Sequence, residues 1–318
     1  MRGSFSDLQN IFRRKPVGDG MGADPTSTVS DPSLPAETPS HRFWRRVFMA
    51  LLPPLSLLLS IVALALLFPH HGNNWILPIG LMLLLLIHEL GHLFVLRLKG
   101  IPAHGPYFIP LLGAFVMMSR PSKGEDVALV ALAGPFFGGL GALFCLAMAG
   151  IVGGQDCNHW TLGQGFKALV PYSCYTLGTG PEWLALAHIG FLFNLINLVP
   201  LLPFDGGQAI GIASRWFWLL GVPVGILFLL RSLQLTTPIG IVLSAVVLGT
   251  LLFSLGTTCF ALRKPSFGGA MPRTSPPVPL MHRGLILLLY LLLSAVLFLG
   301  DNFVVILLRH SSAFPLHL

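Results

Sequence analysis

Apolar residues along this chain come in long unbroken runs, unlike the alternation of a half-buried strand or the 3.6-residue stripe of a surface helix. The runs fall at Val47–Phe68, Trp75–Leu98, Val127–Val152, Leu184–Leu202, Trp216–Leu230, Pro238–Leu262 and Leu285–Leu308. Most approach or exceed the ~20 residues a helix needs to cross the hydrocarbon of a bilayer. The run Trp216–Leu230 is short and broken by Gly221 and Pro223, which makes it the weakest of the seven. Pro53, Pro54, Pro78, Pro135, Pro200 and Pro203 fall within or beside these runs. They are tolerated in membrane helices where neighbours satisfy the freed backbone groups. The pattern predicts an all-α polytopic membrane protein with a six-span helical core over residues 47–262. A Pro/Gly-rich linker at 263–283 sets apart an additional transmembrane helix at 284–309. Residues 1–46, rich in Pro, Ser, Thr, Gly and Asp without apolar periodicity, read as a disordered cytoplasmic tail. The first apolar run begins too late for a secretory signal peptide, so it is expected to remain as an anchor.

Composition supports the membrane assignment. The chain is 54% hydrophobic and only 10% charged, with a mean hydropathy of +0.78, whereas a soluble domain carries about 25% charged residues. The formal net charge of +7 does not point to nucleic acid, because the basic residues flank the apolar runs and form no stripe among aromatics. Alternating the seven spans from a cytoplasmic N-terminus places sixteen of the nineteen Lys and Arg residues inside, leaving Lys167, Arg231 and Arg309 outside. Cys145 and Cys259 lie in apolar runs and read as packing residues. Cys157 and Cys174 share the sizeable outer loop Gly153–Trp183; a disulfide, if that side is oxidising, and two unpaired thiols are equally open.

The chemistry sits in the second run, as His88-Glu89-Leu90-Gly91-His92. Histidines at i and i+4 share one helix face and can reach one zinc ion, and the glutamate between them is the usual general base of a zinc peptidase. Charged side chains are expensive at membrane depth, so the placement itself argues for function. A two-histidine site needs a third protein ligand and an open position for water. Of the carboxylates near membrane depth, Asp205 closes the fourth span and Asp301 lies in the last helix. His88 precedes Arg97 by nine residues, ~14 Å of helix rise, so the histidines occupy the inner half of their span. Asp205 falls at the inner end of its own span, where Pro200 and Pro203 break the helix and can lift it toward the metal. Asp301 falls at an outer end and is expected to be interfacial. His70, His71, His104, His159 and His188 lie in loops or at outer span ends, away from this depth.

These residues carry a resemblance. The HELGH run in a membrane helix, followed by Asn197-Leu198-Val199-Pro200-Leu201-Leu202-Pro203-Phe204-Asp205-Gly206-Gly207, resembles the site-2 protease family of intramembrane zinc metallopeptidases. Gly105–Phe115 resembles the family's re-entrant segment after the HExxH helix, and Ala131-Leu132-Ala133-Gly134-Pro135 the start of its next core helix. The resemblance covers about Trp75 to Ile212 and implies a compact form without a PDZ or CBS domain. It implies one zinc ion per chain held by His88, His92 and Asp205, with Glu89 as general base. Asn197 corresponds to the family's asparagine near the scissile carbonyl; the bland alternative is an amide that satisfies loose backbone carbonyls at a helix break. Asn194 reads as a helix-packing hydrogen bond, and Gly134, Gly138, Gly139 and Gly141 as small-residue scaffolding.

The implied activity is a zinc endopeptidase cutting within or beside transmembrane segments of other membrane proteins. The expected partners are such a substrate and the lipid bilayer, with no nucleic acid; oligomeric state is not legible. The inner placement of the site predicts water entry from the cytoplasmic side, and Gly105–Phe115 offers either an edge for strand addition or a plug closing the bundle. Other membrane-embedded HExxH peptidases use a downstream glutamate as third ligand. Here Glu125 and Glu182 are the candidates, in a polar inner loop and on the outer side. The alternative from another class is a non-catalytic metal-binding membrane adaptor retaining the protease fold. An ion-coupled transporter would want paired intramembrane charges and internal repeats, and neither is seen.

Overall fold

A computed structural model describes residues 39–67, 75–110, 113–119, 123–155, 180–232, 238–263 and 278–309. The chain divides into Met1–Leu52, of which only the start of one helix is described, and Pro53–Leu318, which holds everything else below. Helices α1 (Pro39–Leu67) and α2 (Ile76–Leu98) are followed by strands β1 (Ala103–Ile109) and β2 (Gly113–Met118). Then come α3 (Gly124–Gln155), α4 (Gly180–Asn197), the short α5 (Asp205–Ala213) and a 3-10 turn at Arg215–Leu220. Helices α6 (Gly221–Ser232), α7 (Pro238–Arg263) and α8 (Leu280–Arg309) complete the order. The chain is thus mostly helical. Among the described residues, Ile76–Leu98, Gly124–Val152 and Leu280–Leu308 are long and apolar enough to cross a membrane, and Leu51–Leu66, Arg215–Leu227 and Leu248–Arg263 are shorter apolar stretches. Residues 1–38 of the suggested tail, most of the linker and the loop with Cys157 and Cys174 lie outside the described residues, whereas residues 39–46 of that tail already belong to α1.

Three local departures from the sequence reading have identifiable causes. First, the all-α expectation is amended after α2, where β1 and β2 form an antiparallel hairpin with Tyr107 opposite Phe115, Phe108 opposite Ala114 and Ile109 opposite Gly113. Tyr107-Phe108-Ile109 and Phe115-Val116 are aromatic and β-branched, residue types that fit a pleated surface, and the Tyr107 and Phe115 rings meet across the strands at 5.7 Å. The Phe108 N–H donates to Ser56 Oγ of α1 at 3.1 Å, and Phe108 is buried with Leu64 and Met82, which docks the hairpin between α1 and α2.

Second, α4 stops at Asn197, short of the expected Leu202. Pro200 and Pro203 cannot donate to a helical ladder, and the last turn tightens, with the Leu198 N–H shared between the Asn194 and Leu195 carbonyls at 3.1 Å each. Asp205 therefore opens a new helix instead of closing the fourth span. The fifth run likewise divides into the 3-10 turn and α6, with Pro223 in the first turn of α6, where a missing N–H costs least.

Third, α8 does not stand apart from the bundle. Its Ile286, Tyr290, Leu297, Val304, Leu307 and Leu308 belong to the same buried cluster as residues of α3, α4, α5 and the 3-10 turn, including Ala131, Leu186, Phe191, Ile212 and Trp218. A helix with one face packed and the other apolar and exposed suits a bilayer: Leu285, Leu288, Leu292 and Leu299 all point outward.

Candidate metal centre

His88 and His92 lie in the middle of α2, one turn apart, and both face α3 and α4. Their Nε2 atoms are 3.2 Å from each other. Asp205 reaches the same point from the start of α5, its Oδ2 lying 3.2 Å from His88 Nε2 and 3.4 Å from His92 Nε2. Its return to this depth depends on the broken stretch 198–204 and on close backbone packing at Gly206 and Gly207. A methyl on either would collide with the Leu198 or Leu201 carbonyl. The Trp218 indole N–H fixes the new helix by donating to the Gly207 carbonyl at 2.7 Å.

Hydrogen bonds on the far side of each ring settle which nitrogen faces the cluster. His92 Nδ1 lies 2.7 Å from the Val130 carbonyl of α3, which can only accept, so Nδ1 carries the proton and Nε2 presents its lone pair. His88 Nδ1 lies 2.8 Å from Asn194 Oδ1. The amide orientation follows from its other end, where Asn194 Nδ2 donates to the Gly190 carbonyl at 2.7 Å. Both Nε2 lone pairs and a carboxylate oxygen thus converge on one point. With both Nε2 atoms unprotonated the three are acceptors only, a set that a shared cation would satisfy. A tetrahedral zinc with bonds of about 2.1 Å has ligand atoms ~3.4 Å apart, and the three observed separations of 3.2, 3.2 and 3.4 Å match those edges. The residues therefore fit a four-coordinate zinc with one position left open. Among the described residues this is the cluster of His, Cys, Asp and Glu side chains placed to hold a metal ion.

Small residues of α3 make the approach possible. A methyl at Gly134 would run into His92 Nε2 and crowd His88 Nε2, and one at Gly138 would run into the Asn194 amide. The Phe193 ring packs edge-on against His88 at 5.4 Å and closes the apolar side.

The remaining sequence candidates fall as follows. Glu89 is buried at 5% exposure, with no hydrogen bond or ion pair to any described residue. Asn197 sits at the end of α4, where its Nδ2 donates to the Phe193 carbonyl at 3.1 Å, the back-bonding its bland reading describes. Asp301 is not brought to the metal cluster; it pairs with His188 at 2.7 Å between α8 and α4. Asn194 is the residue whose place at the site the sequence reading missed. A signal was there to be weighed: a carboxamide at membrane depth needs polar partners of its own.

Two histidines of one helix and an aspartate of another thus converge inside an apolar bundle as a candidate metal site, the histidines belonging to an HExxH motif. Residues 76–217, somewhat less than half of the chain, match the family model described as peptidase family M50. The match contains His88, Glu89, His92, Asn194, Asn197 and Asp205 and leaves α7 and α8 outside. A curated protein of Arabidopsis thaliana, "Probable zinc metalloprotease EGY2, chloroplastic", is 33% identical over 145 residues, covering 40% of this chain and 26% of that protein. The chain thus matches about a quarter of the length of this relative.

Proposed function

We propose that this protein is an intramembrane zinc metalloendopeptidase that cuts within or next to transmembrane segments of membrane-tethered proteins. The observation that carries the reading is the convergence of His88 Nε2, His92 Nε2 and Asp205 Oδ2 at tetrahedral spacing, beside the buried Glu89. His88, His92 and Asp205 hold one zinc ion per chain. Zinc, when bound, supplies a Lewis acid that brings the pKa of water toward ~7. Glu89 then acts as general base: among the described residues no hydrogen bond or ion pair occupies its carboxylate, so it is available to take a proton from water and pass it to the leaving amine. Asn197 holds the scissile carbonyl or its developing oxyanion once a substrate displaces its amide from the Phe193 carbonyl.

A substrate helix hides its carbonyls in its own hydrogen bonds and must unwind to be cut, and the unwound backbone needs partners in a dry environment. The hairpin β1–β2 is the element suited to provide them by strand addition, in the place where the family resemblance puts a re-entrant segment. In this reading the chain is a multi-pass protein of the cell's inner or plasma membrane, with six core spans, a further C-terminal span and a cytoplasmic N-terminus. Water reaches the site from the cytoplasmic side.

The test is co-expression with tagged single-span membrane proteins, comparing wild type with Glu89→Gln. Cleavage near the inner end of the substrate span is expected for the wild type and not for the variant; equal yields from both would refute the reading. Purified wild-type protein should hold about one zinc per chain, as the tetrahedral set of three ligands implies, and Asp205→Ala should lose it.

A further inference from the structure

The Leu198 carbonyl stands between two groups that connect α8 to the metal centre. Leu198 is the first residue beyond α4. The helical donor to its carbonyl would be the Leu202 N–H, but that group donates to Thr258 Oγ1 at 3.1 Å. The Leu198 carbonyl accepts from the Tyr290 hydroxyl of α8 at 2.6 Å instead, in a buried contact. Its other side lies against Gly206, so tightly that a methyl there would collide with it. Gly206 directly follows Asp205. An irregular carbonyl in the dry core of a bundle requires a donor, and here the donor comes from a helix outside the segment that matches family M50.

The position of α8 is itself fixed at two further heights. His282 Nδ1 pairs with Glu125 Oε1 of α3 at 2.6 Å, and Asp301 Oδ1 with His188 Nδ1 of α4 at 2.7 Å. Helix α3 carries the Val130 carbonyl that orients His92, and α4 carries Asn194 that orients His88. One helix is therefore anchored to α3 and α4 and, through Tyr290, to the turn that presents the aspartate.

We infer that Tyr290 is a positioning residue for the metal centre: it holds the Leu198 carbonyl against Gly206 and so sets where the Asp205 carboxylate stands relative to the two imidazoles. This rests on the metal-centre reading above. Groups that orient metal ligands through one intervening contact change metal affinity by about 10- to 100-fold when removed. The Tyr290 hydroxyl acts through the backbone, so an effect near the lower end is expected.

The test uses full-length protein purified in detergent, with Zn2+ affinity measured by chelator competition and ligand geometry read from the absorption of bound Co2+. Tyr290→Phe should fold, bind zinc about ten-fold more weakly, and show a displaced Co2+ spectrum. Asp301→Asn, which loosens α8 at its far end, should lower the melting midpoint while leaving both metal readouts at wild-type values. A Tyr290→Phe protein with wild-type affinity and spectrum would overturn the inference. So would an equal loss of affinity in Asp301→Asn, or a Tyr290→Phe chain that no longer folds, because the hydroxyl would then be holding the bundle and not the ligand. Wild-type protein that takes up neither metal would count against the metal centre itself, a different failure.

Discussion

Replacing Asn194 by alanine separates the orientation of a ligand from the ligand itself. The amide makes two buried contacts, accepting from His88 Nδ1–H at 2.8 Å and donating to the Gly190 carbonyl at 2.7 Å. The alanine variant leaves the imidazole able to bind metal but free to rotate, and leaves its N–H without an acceptor. Each orphaned buried group costs about 1–3 kcal/mol, and the looser His88 should weaken zinc by about 10- to 100-fold, or ~1.4–2.8 kcal/mol. Asn194→Asp provides the control. It restores an acceptor for His88 without the donor to Gly190, so it should recover most of the zinc affinity while remaining less stable than wild type. Chelator competition gives the affinities and thermal unfolding in detergent gives the stabilities. If Asn194→Ala bound zinc within about two-fold of wild type, the amide would be a packing contact only, as its sequence context first suggested.

Two further substitutions probe the walls of the site. Gly134→Ala places a methyl against both Nε2 atoms; zinc content should fall below half of wild type while the helical circular dichroism persists, since overpacking costs about 1–3 kcal/mol. Full zinc occupancy in that variant would mean the cation is not where the three donors converge. Asn197→Ala removes a back-bond to Phe193 and should leave zinc bound while lowering cleavage by about 10²–10³-fold if its amide meets the oxyanion. Unchanged cleavage would assign Asn197 to the end of α4 alone.

The candidate cluster was legible because its spacing obeys helix geometry. His88 and His92 share a face of any helix built on that sequence, and Asp205 was singled out by depth, an argument that needed only the span directions. The turn that delivers Asp205 was half legible. Pro200 and Pro203 announced a break, but nothing in the order of residues says that the chain restarts as a helix at the aspartate, because that depends on contacts from Trp218, Thr258 and Tyr290. The hairpin escaped the all-α expectation for a similar reason. Tyr107–Ile109 and Phe115–Met118 are too short to show a period amid so much apolar sequence, and their pairing is fixed by long-range docking on α1 and α2. The last helix was misjudged as an appendage because its linker is rich in Pro and Gly; a flexible connection says nothing about how tightly the two things it connects will pack.

The glycines of α3 carry the same lesson into the site. Small residues in a membrane helix permit close approach of backbones, and that reading treats them as interchangeable. Here the approach is used twice for chemistry. The gap at Gly134 admits the two imidazole nitrogens, and the gap at Gly138 admits the carboxamide that holds one of the rings. Neighbouring Gly139 instead receives Leu297 of α8, an apolar contact. Adjacent glycines on one helix thus serve a polar centre on one face and a hydrophobic seam on the other. The separation follows from helical rotation: residues 134 and 138 are one turn apart and face α2 and α4, while 139 is rotated by ~100° toward α8. A metal centre in a bilayer needs both faces at once, because the ligands must be dry and close while the helices that carry them are held by packing with no water to expel. Alanine at Gly139 should accordingly disturb stability and spare the metal, the reverse of alanine at Gly134.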